Sequence, residues 1–455
     1  MAFLRGRDTR RGMFRTYLAG FRVDVDTYRR RVLFFVGGII VGLLAVTMAV
    51  LADRMQQAFA VLALHWRWAP FIVTPAGFAV SAHVTKRFFP GAQGSGIPQV
   101  IAARRLDRLE DRSRLVSLRL AAAKIGLLML GLLCGASSGR EGPTVQVGAA
   151  TMAMLGRLEP HRQPGLLLAG SAAGIAAAFN APLAGIIFGI EEMSRSFEQR
   201  SSVLVLVTVI VAGLTSLTLL GNYTYFGVGH GAMLEGWQWF SVPVVLVVGG
   251  LLGGLFSRIV VALAHGRMPA GAARLVKRHP VLFAALCGLL VALCGLFSGN
   301  TIFGTGYAQA KAILDAQPMP WLFGPLKLAA TALSTISGIP GGIFSPSLSV
   351  GAGLAYNLSA LLPNVPIDTL AILCMAAYLA GVVQAPLTSA VIVSEMTNDH
   401  ALILPIMICA VGASAVSRLV SREGIYHALA ARLADPPVAE PAPPAQPEPQ
   451  PPAQP

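Results

Sequence analysis

Three short segments of the sequence combine glycine, proline and a following apolar run in a pattern that suits anion binding. They are GSGIP (94–98), GREGP (139–143) and GGIFSP (341–346). Proline is favoured at the first position of a helix, and glycine lets the backbone turn sharply and come close to a ligand. Each segment is therefore expected to present free backbone N–H groups at a helix N-terminus. Such a terminus carries roughly half a positive charge and attracts anions.

Three helix N-termini aimed at one point would hold an anion without a lysine or arginine in contact with it. A full cationic side chain in a low-dielectric site would bind the anion too tightly for rapid release. One such segment alone is explained equally well as an ordinary helix break in a glycine-rich membrane protein. The presence of all three favours a site for a transported anion.

The elements that must position these segments are membrane helices. Of 455 residues, 55% are apolar and 12% are charged, whereas a soluble protein carries roughly 25% charged residues. Apolar runs, several near the ~20 residues that span a bilayer, recur at 32–51, 115–134, 203–220, 242–263, 281–297 and 401–416. With 48 Gly and 30 Pro, many helices must be interrupted, and interrupted backbone is tolerated at membrane depth only beside protein or a polar cavity. We predict an all-α polytopic membrane protein with broken helices.

The net charge of +14 is distributed in a way that indicates membrane topology. Arginine and lysine cluster beside the apolar runs, in 5–31, 104–119, 267–278 and 418–432, while 221–240 has two Trp and no Lys or Arg. By the positive-inside rule these clusters and both termini are cytoplasmic, and 221–240 lies on the opposite side. Residues 1–32 form a basic cytoplasmic segment that suits contact with anionic lipid. No basic patch carries a recognisable nucleic-acid-binding fold, so no nucleic-acid partner is expected.

The five cysteines lie in apolar stretches and form no CxxC pair, so we interpret them as buried small hydrophobic residues. No metal, no cofactor and no catalytic residue is expected. Residues 434–455 are rich in Pro, Ala, Gln and Glu, and this composition predicts a disordered, cytoplasmic Pro-rich tail.

An internal repeat divides the chain into two related halves. GREGPTVQVGA (139–149) and GIFSPSLSVGA (342–352) match at five of eleven positions with an offset of 342 − 139 = 203. APL at 181–183 recurs at 385–387 with an offset of 204, and each Pro is followed nine residues later by Glu191 or Glu395. We expect a first transmembrane repeat at 33–230 and a second at 231–433, with the broken helices meeting at a central anion site. The matches alone do not give the orientation of the repeat; the predicted fold is the inverted form.

The same motifs resemble those of the CLC family of chloride channels and proton-coupled chloride exchangers. Besides GSGIP, GREGP and GGIFSP, the resemblance extends through AFNAPLAGIIFGIEEM (178–193), QAPLTSAVIVSEMT (384–397) and GIYHALAARL (424–433). It covers about 90–433 and indicates the bacterial type without CBS domains. It implies a homodimer with a complete pathway in each subunit, in the inner membrane of a bacterium.

The resemblance also implies which residues bind the central anion. The hydroxyls of Ser95 and Tyr426 would coordinate chloride, since both can donate a hydrogen bond to it. Backbone N–H groups at Gly142, Ile343 and Phe344 would complete the chloride-binding set. In the family a Pro in place of the Ser goes with nitrate preference, and the fluoride-exporting branch departs from the Ser and Tyr pattern. The resemblance therefore implies chloride as the transported anion.

Two glutamates correspond to the family's gating and proton-transfer positions. Glu141 resembles the gating glutamate, because a carboxylate can occupy an anion site, compete with chloride and leave when protonated. The alternative is a structural ion pair with Arg140, which we otherwise regard as an accessory residue. Glu192 resembles the glutamate that passes protons to the cytoplasm in exchangers, and channels usually lack it; the alternative is a solvated helix end. Lys124 resembles a basic accessory residue near the anion path.

The predicted function is secondary active exchange of chloride for protons, with chloride, protons and membrane lipid as partners. The alternative within transport is a passive voltage- or pH-gated chloride channel. A distant alternative is an intramembrane serine protease, because GASSG (135–139) fits the G-x-S-x-G pattern. That activity needs a histidine near Ser137, and the eight histidines all fall at loops or at the ends of apolar runs. The sequence thus favours a transporter and not an enzyme.

Overall fold

The computed structural model describes residues 5–106, 108–156, 163–193, 202–221, 225–226, 234–267, 270–399 and 401–434, with side chains described from residue 28 onward except at 202, 270 and 272. Residues 435–455 of the predicted tail and the predicted boundary between the halves at 230 and 231 lie outside these residues. Ala434, predicted as the first residue of the tail, is instead the last residue of a helix.

The described residues form helices and no strand, apart from two isolated backbone bridges. A π-helix, Gly189–Met193, follows α8, and a 3₁₀-helix, Gly236–Phe240, precedes α10. In chain order the α-helices are α1 (Arg5–His65), α2 (Ala69–Phe88), α3 (Ile97–Arg105), α4 (Leu109–Leu115), α5 (Leu118–Leu133), α6 (Glu141–Leu155), α7 (Gln163–Phe179), α8 (Pro182–Phe188), α9 (Ser202–Leu220), α10 (Ser241–Ala264), α11 (Ala270–Arg278), α12 (Pro280–Phe297), α13 (Tyr307–Leu314), α14 (Phe323–Ile336), α15 (Phe344–Leu358), α16 (Ile367–Val383), α17 (Pro386–Thr397), α18 (Ile403–Val420) and α19 (Ile425–Ala434).

Six stretches of the described chain are long and apolar enough to cross a membrane, and each overlaps one of the six predicted apolar runs. They are Tyr28–His65, Leu109–Leu133, Val203–Leu220, Gly236–Ala264, Pro280–Phe297 and Ile403–Val420. The predicted all-α membrane protein is confirmed. Residue 32 lies within α1, which continues without a break from the basic segment into the first span.

Two shorter apolar helices, α7 and α16, lie at the centre of the protein. Every residue of α16 from Thr369 to Val383 is buried, and most of α7 is buried as well. Small residues dominate α7, and they let α6 and α8 come close to its backbone. For example, a Cβ on Gly174 of α7 would lie 2.8 Å from the carbonyl oxygen of Thr144 in α6. A helix that is apolar all round lies in a protein core or spans a membrane. Here α7 packs on α6 and α8, and α16 packs on α15 and α17, so protein lies beside these shorter helices.

The backbone repeats in detail between the two parts of the chain. Gly135 and Gly338, 203 residues apart, both have φ of +81° and end α5 and α14 with the same left-handed turn. The N–H group of Gly139 donates to the carbonyl of Gly342 at 2.8 Å, and the N–H group of Gly342 donates to the carbonyl of Gly139 at 2.8 Å. Such a reciprocal pair is the contact that a two-fold relation between the parts produces.

A second reciprocal contact joins α8 and α17. The carboxylate of Glu395 accepts hydrogen bonds from the N–H groups of Leu183 and Ala184 in the first turn of α8, at 3.1 and 2.6 Å. The carboxylate of Glu191 accepts bonds of the same lengths at the start of α17, from Leu387 and Thr388. A negative charge at a helix N-terminus is stabilising. Glu395, which lies in α17, therefore caps α8, and Glu191, which follows α8, caps α17.

We expect Glu395→Ala to lower the stability of the folded protein. The substitution leaves two backbone N–H groups without their acceptor, which costs about 1 to 3 kcal/mol. Thermal unfolding in detergent should show a lower Tm, and Glu191→Ala should lower it by a similar amount because its contacts are equivalent. Glu423→Ala, at an exposed position, is the control. A Tm unchanged in both cap variants would contradict this role.

Candidate anion-binding site

The structure brings the three glycine-containing segments together. The N–H group of Gly94 in GSGIP donates to the carbonyl of Ile339 at 3.2 Å, and the N–H group of Gly341 in GGIFSP donates to the carbonyl of Gly94 at 3.0 Å. The Gly139–Gly342 pair ties GREGP to GGIFSP. The helices α3, α6 and α15 begin within these segments, and the first residues of a helix have N–H groups with no partner inside the helix. Three helix N-termini therefore meet in one small region.

The close approach of these segments depends on glycine at particular positions. Gly96, which precedes α3, has φ of +98° and would place a Cβ 2.7 Å from Oε1 of Gln146. Gly142, one of the predicted anion-binding residues, lies directly against the Ser95 side chain, and a Cβ there would overlap the Ser95 Oγ. The backbone of Gly142 in α6 is therefore in direct contact with the hydroxyl of Ser95, which precedes α3.

Two buried hydroxyls in this region belong to Ser95 and Tyr426. Both side chains are buried, and neither Ser95 Oγ nor Tyr426 Oη has a hydrogen-bond partner among the described residues. Both residues line the same cavity. The Tyr426 ring packs against Phe344 at the start of α15, with ring centroids 5.9 Å apart. A buried hydroxyl without a protein partner needs a ligand or water to satisfy it, and an anion can accept from both.

A cavity of about 660 Å³ opens beside these hydroxyls. Ser95, Ile343 and Tyr426 line it near the three helix N-termini, and Lys277 and Arg432 line it elsewhere. Both cations belong to the clusters that the positive-inside rule assigns to the cytoplasm. Positive charge along a cavity raises the local concentration of anions. The cavity is therefore suited to lead an anion to Ser95 and Tyr426.

Glu141 lies fully buried at the start of α6, and its carboxylate reaches the start of α15. Oε2 accepts from the N–H group of Ser345 at 3.4 Å, and Oε1 accepts from the hydroxyl of Tyr307 at 2.8 Å. The carboxylate thus lies at a helix N-terminus, a place where proteins commonly bind anions. Tyr307 lines a second cavity of about 430 Å³ together with Asp53, so the Glu141 carboxylate is one hydrogen bond away from a residue of that cavity.

Arg140 is buried but does not form the alternative ion pair with Glu141 among the described residues. Its guanidinium donates to the carbonyl of Ala49 at 2.7 Å, to Asp53 Oδ1 at 2.9 Å and to Tyr225 Oη at 2.7 Å. These bonds fix the residue before α6 to α1. Because the arginine is engaged elsewhere, the Glu141 carboxylate is held by hydrogen bonds that a protonation could release.

Lys124 supports the GSGIP segment from behind. It is fully buried, and its Nζ donates to the carbonyl of Gly94 at 2.8 Å and to that of Gln93 at 3.3 Å. Lys124 thus bonds to carbonyl groups of this segment and to none of its N–H groups. The contacts describe a positioning residue for Ser95.

Glu192 lies in the π-helix after α8, with 4% of its side chain exposed. Its Oε1 is 3.6 Å from Nε2 of His427, whose Nδ1 is 3.1 Å from Nη2 of the exposed Arg105. Tyr426 precedes His427 in α19, and both Glu192 and Glu141 lie within electrostatic range of its hydroxyl. The alternative of a solvated helix end does not describe this carboxylate, because it is buried. Arg195, which the sequence places nearby, lies outside the described residues.

Sequence reasoning missed a fourth segment of the site, GTGYA (304–308). The N–H group of Gly304 donates to the carbonyl of Ala136 at 3.1 Å, and Gly306, with φ of +84°, precedes α13 as Gly96 precedes α3. Behind it the buried Lys327 donates to the carbonyls of Ile302 and Gly304, both at 2.8 Å. Lys327 follows Lys124 by 203 residues, so the repeat offset was the signal that could have located this segment.

The arrangement around Ser137 does not resemble a protease site. Its hydroxyl lies 3.0 Å from Oγ1 of Thr331, and its N–H group donates to Oγ of Ser334 at 3.1 Å. Among the described residues no histidine forms a hydrogen bond with Ser137. The serine joins α14 to the loop before α6.

Comparison with known proteins decides the family. The family model described as "Voltage gated chloride channel" matches residues 76–418. The chain belongs to the CLC family. It is a transporter of that family and not an enzyme, and its resemblance to CLC proteins, predicted from the motifs, is confirmed.

Among the similar proteins is the H(+)/Cl(-) exchange transporter ClcA of Yersinia pseudotuberculosis serotype IB (strain PB1/+), 32% identical over 426 residues, which cover 87% of this chain and 86% of that protein. The crystal structure of a slow cyanobacterial Cl-/H+ antiporter has a TM-score of 0.76 and 26% identity, with 89% of this chain and 98% of that chain covered. A CLC-type fluoride/proton antiporter has a TM-score of 0.73 at 20% identity, again over 89% of this chain and 98% of that one. The likeness to the last shows the shared CLC fold alone.

Proposed function

We propose that the protein is a secondary active transporter that exchanges chloride for protons. The observation that carries the proposal is that Glu141, which accepts from Tyr307 beside the second cavity, and Glu192, 3.6 Å from His427, are both buried. A carboxylate inside a membrane protein is costly and marks an ion or proton pathway. A passive channel needs no second buried carboxylate. Exchange is also the activity named for the ClcA relatives.

The anion site of the proposal is the region where α3, α6 and α15 begin. Chloride would accept hydrogen bonds from the hydroxyls of Ser95 and Tyr426 and from backbone N–H groups at Ile343 and Phe344. The N–H group of Gly142 lies beside the same serine. The partial positive charges of the helix N-termini stabilise the anion without a fixed counter-ion, which keeps its release fast. The Ser and Tyr pattern supports chloride as the anion.

Glu141 would act as the gate of this site. In the ionised form its carboxylate accepts from Ser345 at the start of α15 and competes with chloride for that position. Protonation removes the charge that holds it there, so chloride can take its place while the proton leaves with the glutamate. Tyr307, which donates to the same carboxylate, would hold the gate closed from the side of the second cavity. One residue thereby links chloride movement to proton movement.

Glu192 would be the inner proton acceptor. It is nearly inaccessible to solvent yet lies 3.6 Å from the partly exposed His427, so a proton can reach it without entering the anion cavity. Tyr426 is within electrostatic range of both carboxylates. The proposed proton path therefore passes close to the anion site but separately from it.

The proposed architecture is an inverted repeat of residues 33–230 and 231–433 with the anion site between them. The reciprocal bonds of Gly139 with Gly342 support a two-fold relation. The apolar part of α1 and the related helix α10 follow segments of opposite charge character, the arginine-rich residues 1–32 and the 221–240 connection without Lys or Arg. The positive-inside rule then places their starts on opposite faces of the membrane. Cytoplasmic termini, a bacterial inner membrane location, contact with membrane lipid and a homodimer belong to the same proposal.

The test that separates exchange from a channel is the voltage at which net chloride flux stops. Purified protein in liposomes is given equal chloride concentrations on both sides and a pH gradient, and the voltage is clamped with K⁺ and valinomycin. An exchanger has a reversal voltage that shifts with the pH gradient. For a channel, the reversal voltage stays at zero whatever the pH gradient, and that result would refute the proposal.

We expect Tyr426→Phe to weaken chloride binding by about 10-fold, because a hydrogen bond to a charged partner contributes about 1.5 to 3 kcal/mol. The variant keeps the ring that packs on Phe344 and removes the hydroxyl alone. Chloride titration by calorimetry measures the change, with Tyr356→Phe, a tyrosine near the end of α15, as the control. Equal chloride affinity in Tyr426→Phe and wild type would remove Tyr426 from the site.

A further inference from the structure

The contacts of His427 set it apart from other titratable side chains near the cavity. It lies in the first turn of α19, directly after Tyr426. Its Nε2 is 3.6 Å from Oε1 of Glu192, and its Nδ1 is 3.1 Å from Nη2 of Arg105. One imidazole therefore joins the buried carboxylate in the π-helix to a cation at the end of α3.

The arginine determines which ring nitrogen carries the proton. A guanidinium has donors only, so Nδ1 of His427 must be the acceptor in its contact with Arg105. The neutral ring then carries its hydrogen on Nε2. That N–H group points toward the carboxylate of Glu192, so the ring is oriented to give a proton to it.

Exposure falls in steps along these three side chains. Arg105 is exposed, 15% of the His427 side chain is exposed, and 4% of the Glu192 side chain is exposed. Solvent can therefore reach the imidazole but hardly the carboxylate. The charged groups on the elements around His427 are Arg104 and Arg105 on α3, Glu191 and Glu192 on the π-helix, Arg258 on α10, Asp368 on α16 and Arg432 on α19 itself.

We propose that His427 is the relay through which protons pass between the cytoplasmic solution and Glu192, with Arg105 as the residue that sets its tautomer. The inference rests on the exchange function proposed above and names the group that supplies its inner proton. It also places the two pathways on consecutive residues, with Tyr426 at the anion site and His427 at the proton entrance. Successive helix residues are about 100° apart around the axis, so they face different surroundings.

The transfer balances with hydronium in the cytoplasmic solution as the source of the proton. When the Arg105 side chain turns aside, Nδ1 of His427 takes a proton from hydronium, which becomes water, and the ring becomes a cation. The cation releases its Nε2 proton to Glu192, so one N–H bond breaks, one O–H bond forms and the ring is neutral again. Proton exchange with water then restores the form with hydrogen on Nε2, which Arg105 selects.

The test is His427→Gln, measured for proton flux and chloride flux in the same liposomes. Glutamine can still donate a hydrogen bond toward Glu192, but it cannot bind an additional proton. We expect proton flux to fall by about 10-fold or more, within the range that a positioned acid or base supplies, while chloride flux changes by less than about 2-fold. His265→Gln, at the end of α10, is the matched control and should behave as wild type.

A structural role for His427 would give a different result, in which chloride flux and proton flux fall together. That outcome, or a proton-to-chloride ratio equal to that of wild type, would overturn the inference. In a Glu192→Gln background the His427→Gln change should have no further effect on either flux, because the relay acts only through Glu192. His427→Asn, which also cannot be protonated, replaces His427→Gln if that variant does not fold. A wild-type protein that moves no protons would overturn both the exchange proposal and this inference, whereas a wild-type exchanger with an unaffected His427→Gln variant overturns the relay alone.

Discussion

Replacing Glu141 with Gln is expected to abolish proton movement and to make chloride flux independent of pH. Glutamine has nearly the same shape as the carboxylic acid but carries no charge and binds no proton, so it cannot compete with chloride at the start of α15. In wild type, acid should increase chloride flux because protonation releases the carboxylate from Ser345. In Glu141→Gln the flux should stay at the high value across the pH range, with proton flux lower by at least about 100-fold.

The measurement is chloride efflux from liposomes over a series of pH values, with proton uptake recorded in parallel. Glu235→Gln, at an exposed position next to the 3₁₀-helix, is the matched control and should keep the pH response of wild type. If chloride flux through Glu141→Gln still rises in acid, another group controls the gate.

Replacing Glu192 with Gln is expected to stop proton movement while chloride continues to flow. The partly exposed His427 lies 3.6 Å from Glu192 and can still bring a proton to this position. The amide of the glutamine, however, cannot accept that proton. The Glu141 gate remains intact, so chloride flux should still respond to pH on the side of the second cavity. Proton flux should fall by at least about 100-fold.

Glu423→Gln is the control for this variant, because it removes an exposed carboxylate that precedes α19. Parallel recordings with chloride- and proton-sensitive electrodes give the two fluxes from one sample. Proton flux that survives in Glu192→Gln would mean that the inner proton path does not pass through Glu192.

Much of the site could be predicted because its chemistry is local in sequence. GSGIP, GREGP and GGIFSP each combine the turn, the helix start and the ligand-facing backbone within six residues or fewer. The matching spacing of GREGP and GGIFSP predicted a repeat, and with it that these two segments lie close together. The membrane spans were predictable for a similar reason, since length and apolar composition suffice to define them.

The fourth segment, GTGYA, escaped prediction for two physical reasons. It has Ala308 where GSGIP has Pro98, so the proline that normally marks a helix start is missing. Its distance from GSGIP is 304 − 94 = 210 and not 203. The difference of seven residues equals the length of α4, which has no counterpart at that place in the second half. At the offset of 203, Lys327 aligns with Lys124 but GTGYA does not align with GSGIP.

The partners of individual side chains depend on tertiary structure and could not be read from the sequence. Arg140 is adjacent to Glu141 in the chain, yet it bonds to Asp53 in α1. Glu141 itself bonds to Tyr307, 166 residues later. His427 contacts Glu192 and Arg105, which lie in different helices of the first half. Only packing brings these groups together.

The most direct test of chloride–proton exchange is chloride-driven proton movement by purified protein in liposomes. The vesicles contain high chloride, the outer solution contains little, and K⁺ with valinomycin clamps the voltage so that protons have no passive driving force. We predict that protons move into the vesicles against their own gradient as chloride leaves, and that a proton ionophore collapses the accumulated gradient. Chloride efflux with no proton uptake would contradict exchange and show that the protein is a chloride channel.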